Sequence, residues 1–176
     1  MVTKHINLPI NENELIDLNA GELVILSGII YTARDAAHKR ITQAILNNQE
    51  PPFEIKNSAI YYTGPTPAPP GEIIGSCGPT SSSRMDDYTP LLLDNGLKIM
   101  IGKGKRSNAV VDSMKKNKAV YLCAVGGAAA IIKQYIISSA LIAYEDLGTE
   151  AVRKLEVKDL PLIVCIDSKG NSLFDC

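Results

Sequence analysis

Apolar positions along this chain change period repeatedly, and each change predicts an element. From His5 to Leu18, Ile6, Leu8 and Ile10 alternate with polar residues before an Asn-Glu-Asn-Glu-Leu stretch, which predicts a strand and then a polar turn or short helix. Gly21 to Tyr31 is β-branched and bounded by glycine, so it predicts strand, bent or bulged near Gly28. The period then becomes helical. Ala36, Ala37, Ile41, Ala44 and Ile45 predict a helix from about Ala33 to Asn47-Asn48, and Thr32 with Asp35 resembles a capping box. Ile60 to Gly64 reads as a short strand running into a loop whose prolines, Pro65 to Pro70, forbid helix and make it a stiff rim. Arg84 to Asp94 predicts a helix with Asp86 and Asp87 in its first turn, and Leu97 to Ile101 the next strand.

The second half keeps alternating. Ser107 to Lys116 predicts a helix, Ala119 to Val125 a buried strand, and Gly127 to Tyr135 an alanine-rich helix. Ile136 to Ala143, a short helix around Gly148 to Lys154, a strand from Leu162 to Asp167, a Ser-Lys-Gly-Asn turn and a last short strand complete the pattern. Such alternation favours an α/β sandwich whose sheet is at least partly parallel. At 176 residues the chain is expected to be one domain, residues 1–176, with a sizeable core.

Composition narrows the function. With 45% apolar and 21% charged residues and a net charge of -1, the chain has no global basic field, so nucleic acid is not an expected partner and any positive field must be local. No window approaches the roughly 18 apolar residues of a membrane span, and the first twenty or so residues lack a charged start followed by an apolar core, so a cytoplasmic address is expected. The 4 cysteines, Cys77, Cys123, Cys165 and Cys176, are widely spaced with no Cys-x-x-Cys pair, so no metal site is expected on this chain. Cys123 and Cys165 lie in apolar runs as small buried hydrophobes, and Cys77 reads as a small residue in a crowded turn in preference to a reactive thiol.

What remains is local positive charge at strand ends. Arg34 and Lys103 each follow an apolar run, and Thr80 and Arg84 lie in the small-residue, hydroxyl-rich stretch Gly75 to Asp86 between them, all at places where loops and helix starts point free N–H groups at a crevice. Arginine meets a carboxylate with two parallel hydrogen bonds and lysine adds a compact charge, so two arginines and a lysine suit a dicarboxylate and balance its charge. Thr80 places a hydroxyl among these cations, though a hydroxyl is a poor base without a helper. Blander roles stay open: Arg34-Asp35 as a solvated pair, Lys103 as a turn residue, Ser81 to Ser83 as capping hydroxyls, and His38 as a core or supporting residue. Neither phosphate-loop glycine pattern follows a strand, so nucleotide binding is unsupported.

Taken in order, Arg34-Asp35-x-Ala37-His38, Gly78-Pro79-Thr80-Ser81-Ser82-Ser83-Arg84-Met85-Asp86, Ile101-Gly102-Lys103-Gly104, Ala124-Val125-Gly126-Gly127-Ala128-Ala129 and Tyr144-Glu145-Asp146-Leu147-Gly148 closely resemble the β subunit, or C-terminal region, of the class I iron–sulfur fumarate hydratase and L-tartrate dehydratase family. The resemblance runs from about Ile6 to Phe174. It implies a swivelling β/β/α domain that closes over a four-iron four-sulfur cluster bound by a separate α subunit, none being bound by this chain. It implies that Arg34, Arg84 and Lys103 hold the substrate carboxylates, that Thr80 sits at the carbon where the proton is exchanged, and that His38, Asp35, Gly78, Ser81 and Asp86 support them. Where relatives commonly read Gly-Pro-Thr-Thr-x-x-Arg, this chain has Ser81 and keeps the hydroxyl. The implied activity is that of a lyase of the tricarboxylic acid cycle, the reversible hydration of fumarate to L-malate, in a hetero-oligomer that works only with its α subunit. L-Tartrate dehydratase β subunit and a non-catalytic anion-binding module are the alternatives.

Overall fold

The computed structural model describes residues 2–124 and 131–175. Seven strands make up its one sheet: β1 (Thr3–Asn7), β2 (Leu23–Thr32), β3 (Ala59–Tyr61), β4 (Ile99–Gly102), β5 (Val120–Ala124), β6 (Ile136–Ala143) and β7 (Val152–Ile166). Between them lie α1 (Glu12–Ile16), α2 (Asp35–Leu46), α3 (Thr89–Asp94) and α4 (Asn108–Asn117). The order is β1-β2-β3-β4-β5-β7-β6, parallel from β1 to β5, with β7 antiparallel to β5 and β6. The sheet is partly parallel, as expected, and it is also closed. β7 also pairs along β2, from Leu23↔Ile163 to Tyr31↔Lys154, and so closes β2-β3-β4-β5-β7 into a ring.

The side-chain alternation of the strands sorts the core into two parts. Ala59, Tyr61, Ile99, Ile101, Val120 and Leu122 join Leu26, Ile30, Leu155 and Leu162 in one buried cluster. Their neighbours Ile60, Tyr62, Met100 and Tyr121 join Ala37 and Ile41 of α2, Leu92 and Leu93 of α3 and Met114 of α4 in the other. Strands covered on both faces read as continuous apolar runs, which is why Ile99-Met100-Ile101 shows no polar alternation. The bend expected near Gly28 is there, as a register shift between Leu26 and Gly28; Gly28 has φ +122, and a Cβ on it would lie 2.7 Å from Leu8 Cβ.

Several boundaries differ from expectation. Arg84 to Asp94 is not one helix but a 3₁₀ turn, Ser82–Met85, followed by α3. Pro90 is the reason: it fits the first turn of α3, but in a longer helix its ring would meet the carbonyl of Asp86. The Thr32–Asp35 capping box does not form. Arg34 is the N-cap of α2 without a side-chain cap, while the Thr32 hydroxyl donates to the Ala151 carbonyl at 3.3 Å and accepts from the Arg153 amide at 3.0 Å. The expected helix around Gly148–Lys154 is a 3₁₀ segment, Glu145–Glu150, that ends as β7 begins; Gly148 has φ 63 and ψ -120, and Leu155 and Val157 alternate inward with exposed Glu156 between them. The last short strand is a 3₁₀ turn, Leu173–Asp175. The expected alanine-rich helix and the Ala124 to Ala129 motif fall mostly outside the described residues, beyond which Lys133–Tyr135 is a 3₁₀ turn leading into β6. Among the described residues no helix is long and apolar enough to cross a membrane.

Candidate active site

Because β2, β3 and β4 are parallel and in register, with Thr32 beside Tyr61 and Tyr61 beside Ile101, their carboxyl ends form one rim. The chain leaves that rim through Ala33-Arg34, through Tyr62-Thr63-Gly64 and through Lys103. The glycine-rich segment returns to it: the Thr80 amide donates to the Tyr62 carbonyl at 2.8 Å, and the Ser82 amide to the Lys103 carbonyl at 3.0 Å. The Lys103 amide in turn donates to Ser82 Oγ at 3.0 Å, so Ser81 lies beside Lys103 as a single parallel bridge. This contact needs a glycine in β4, because a Cβ on Gly102 would overlap Ser82 Oγ. Gly78 is held through its carbonyl, which accepts from Thr63 Oγ1 at 2.7 Å.

On this rim the charged groups are not independent. Arg84 donates through Nε to Asp35 Oδ2 at 2.9 Å, with Nη2 2.7 Å from the same oxygen, and its Nη1 donates to Thr80 Oγ1 at 3.4 Å. Arg34 Nε lies 4.0 Å from Glu150 Oε1 and has no hydrogen-bond partner among the described residues. Its Nη1 passes so close to Gly64 that a Cβ there would lie 2.8 Å away. Lys103 is exposed and makes no ion pair with a described residue. Sequence reasoning expected the three cations to balance a dicarboxylate. In the structure Asp35 and Glu150 stand beside two of those cations.

Beneath the rim is a buried polar layer. Asp86 turns inward, accepting from Arg106 Nε at 2.7 Å and from the Ser107 amide at 2.8 Å. Arg106, buried at 8% exposure, also donates to Thr89 Oγ1 at 2.9 Å and lies 5.1 Å over the rings of both Tyr62 and Tyr121. The Tyr121 hydroxyl reaches Ser82 Oγ and donates to the Gly104 carbonyl, each at 2.8 Å, so one phenol ties the Ser82 and Lys103 turns together. His38 is fully buried, its Nδ1 2.9 Å from the Arg34 carbonyl; burial drives its pKa down to about 4, so the ring is neutral and Nδ1 is the nitrogen that donates. It faces Tyr62 and Tyr88 below the rim.

Of the expected site residues, Arg34, Asp35, Gly78, Thr80, Ser81, Arg84 and Lys103 therefore lie on or at the rim, while His38 and Asp86 lie under it. Arg106, Tyr121, Ser82 and Glu150 were missed as contributors. Arg106 closes a Lys-Gly-Lys-Arg run that looks like a polar turn, and Glu150 sat inside a stretch expected to be helical; nothing local marks either. A groove of about 710 Å³ lined by Ile45, Gln49, Phe53, Ile55, Lys56 and Asn95 lies around the carboxyl end of α2 and holds none of these side chains.

The cysteines do not supply a cluster site. Cys77 is buried at 1% exposure, its thiol pushed up to about 11 by that burial, and Cys123 and Cys165 are free thiols, the first half-buried and the second buried. Among the described residues no group of three or more His, Cys, Asp or Glu side chains is placed to hold a metal ion.

The chain is similar to known proteins along nearly its whole length. It is 40% identical over 163 residues to fumarate hydratase 2 of Leishmania major, covering 92% of this chain and 29% of that one. It is 42% identical over 151 residues to the anaerobic class I fumarate hydratase of Escherichia coli strain K12, covering 85% of this chain and 28% of that one. A protein of Methanocaldococcus jannaschii carrying the name L(+)-tartrate dehydratase subunit beta is 34% identical over 172 residues, covering 94% of this chain and 88% of that protein. The chain thus spans less than a third of the fumarate hydratases and most of the dehydratase subunit. The family model described as fumarase C-terminus matches residues 2–176, with the rim residues inside that span, and the chain belongs to this family.

Proposed function

We propose that this chain is the β subunit of a two-subunit fumarate hydratase, a swivelling β/β/α domain that brings carboxylate-binding cations and a reacting hydroxyl to a substrate held against an α subunit. The observation that carries this reading is the Arg84–Thr80 contact. Asp35 fixes the guanidinium side-on, which leaves Nη1 directed at Thr80 Oγ1 at 3.4 Å. A cation held there favours negative charge developing on that oxygen, so Thr80 can release its proton to a substrate carbon, or accept one from it, at lower cost than in water. In the hydration direction the alkene carbon next to Thr80 gains the proton and its neighbour gains the hydroxyl of water; dehydration reverses both transfers. Arg34, Arg84 and Lys103 orient the two carboxylates, and Gly78, Ser81, Asp35, His38 and Asp86 hold these groups in place.

An α subunit as partner is what the resemblance implies. The chain spans only 29% and 28% of the two fumarate hydratases named above, and the four-iron four-sulfur cluster belongs, on the resemblance, to the remaining part, so no step here passes through it. The free thiols of Cys77, Cys123 and Cys165 suit a reducing compartment, the cytoplasm. The dehydratase subunit, with 88% of its length matched, favours a second reading, L-tartrate dehydratase β subunit. The test is to co-express the chain with a polypeptide equivalent to the rest of a class I fumarate hydratase and to assay fumarate, L-malate and both tartrates. Malate formation only in the complex is expected. Tartrate dehydration without fumarate turnover would move the assignment to the second reading, and full turnover by this chain alone would refute the subunit role.

A further inference from the structure

The loop Glu145–Glu150 packs onto α2 beside the rim. Arg40 donates from Nη1 to Asp146 Oδ1 at 2.8 Å, and Thr149 presents its carbonyl to Gly64. The loop ends by placing Glu150 against Arg34. Glu150 is not held there by Arg34. Its Oε1 accepts from the Ala36 amide in the first turn of α2 at 3.4 Å, whereas Arg34 Nε, 4.0 Å away, is too far for a hydrogen bond. Arg34 Nε is buried and has no partner among the described residues, so an N–H of the rim arginine that Asp35 does not hold meets no acceptor among them while a carboxylate sits at Coulomb range. Glu150 therefore neither orients Arg34 nor satisfies it; it only offsets its charge.

We infer that Glu150 is a built-in competitor for the Arg34 carboxylate subsite, weakening anion binding at the rim. This rests on the proposed dicarboxylate site and names a residue that tunes it. Five side chains on the rim, Arg34, Arg84, Lys103, Asp35 and Glu150, sum to a single positive charge. A dianion arriving there must overcome Glu150, and a bound dianion leaves more readily because Glu150 remains. Glu150→Gln removes the charge and keeps an oxygen for the Ala36 amide, so the loop keeps its anchor.

The test is a titration of the full chain with fumarate, following backbone amide shifts of Arg34, Gly64, Thr80 and Lys103, for wild type, E150Q, E150A and R34A. Thermal unfolding runs alongside to confirm folding. A half-exposed pair at this distance contributes roughly 0.2–1 kcal/mol, so E150Q is expected to bind fumarate roughly 1.5- to 5-fold more tightly, E150A to follow it, and R34A to lose most of the affinity. A gain of affinity is not a result that structural damage produces. Binding by wild type with no gain, or a loss, in E150Q and E150A would overturn the inference alone. Absence of fumarate-dependent shifts in every chain, up to the solubility limit of fumarate, would overturn the anion site together with it.

Discussion

Two of the arginine–aspartate pairs in this molecule, one above the other, have opposite surroundings. On the rim, Arg84 and Asp35 have side chains 48% and 35% exposed. Directly beneath, Arg106 and Asp86 are 0% and 11% exposed. The chemistry of the two pairs is the same, so burial decides what each can do. The upper pair remains in water, contributes little to stability and keeps N–H groups free for an incoming anion. The lower pair has given up its hydration and is satisfied on every side, by the Ser107 amide, Thr89 and the faces of two tyrosines. On the proposed function the upper pair meets the substrate, and the lower one holds the turns beneath it.

Breaking the lower pair is expected to have the largest effect on stability. Arg106→Met keeps the bulk but strands Asp86 without its counter-ion, and a loss of about 3–5 kcal/mol is expected from urea unfolding. An unchanged midpoint would mean that Asp86 is satisfied by the Ser107 amide alone. The next effect comes from His38, in the same buried layer. Its folded pKa of about 4 lies below the ordinary 6.5, because burial disfavours the charged ring and the nearby Arg106 charge adds to this. Between those values the unfolded chain binds more protons than the folded one, so stability falls as pH drops from about 6.5 towards 4, by up to roughly 3 kcal/mol, and this contribution is constant above that window. The slope should be absent in His38→Gln, measured as midpoint against pH. Last, Arg84→Ala should cost under about 1 kcal/mol in unfolding while lowering turnover of the partnered enzyme on the order of 100-fold. A parallel collapse of both would merge the two layers into one and remove the contrast.

The rim was legible in the sequence and the layer under it was not, for a physical reason. Arg34 and Lys103 each follow an apolar run, Thr80 and Arg84 sit in a run of glycines and hydroxyls, and both are local signals. Arg106 and Tyr121 matter because of what folds against them from afar, and no spacing along the chain encodes that. The closed ring was hidden in the same way. Parallel order follows from alternating elements, but the β2–β7 pairing joins Leu23 to Ile163, and Pro161 together with Gly148 made the long β7 look like a helix and a short strand. Pro161 is tolerated because it stands just before the register where β5 takes over from β6 as the neighbour of β7.

That late strand also sets the order of events in which the molecule can become complete. Until residues 152–166 are present, β2 lacks its partner along Leu23 to Tyr31 and β5 lacks one along Tyr121 to Ala124, so both present open backbone to solvent. The loops that carry Arg34, Thr80 and Lys103 are made first and are locked into a common frame last, by a contact whose large sequence separation makes it slow to find.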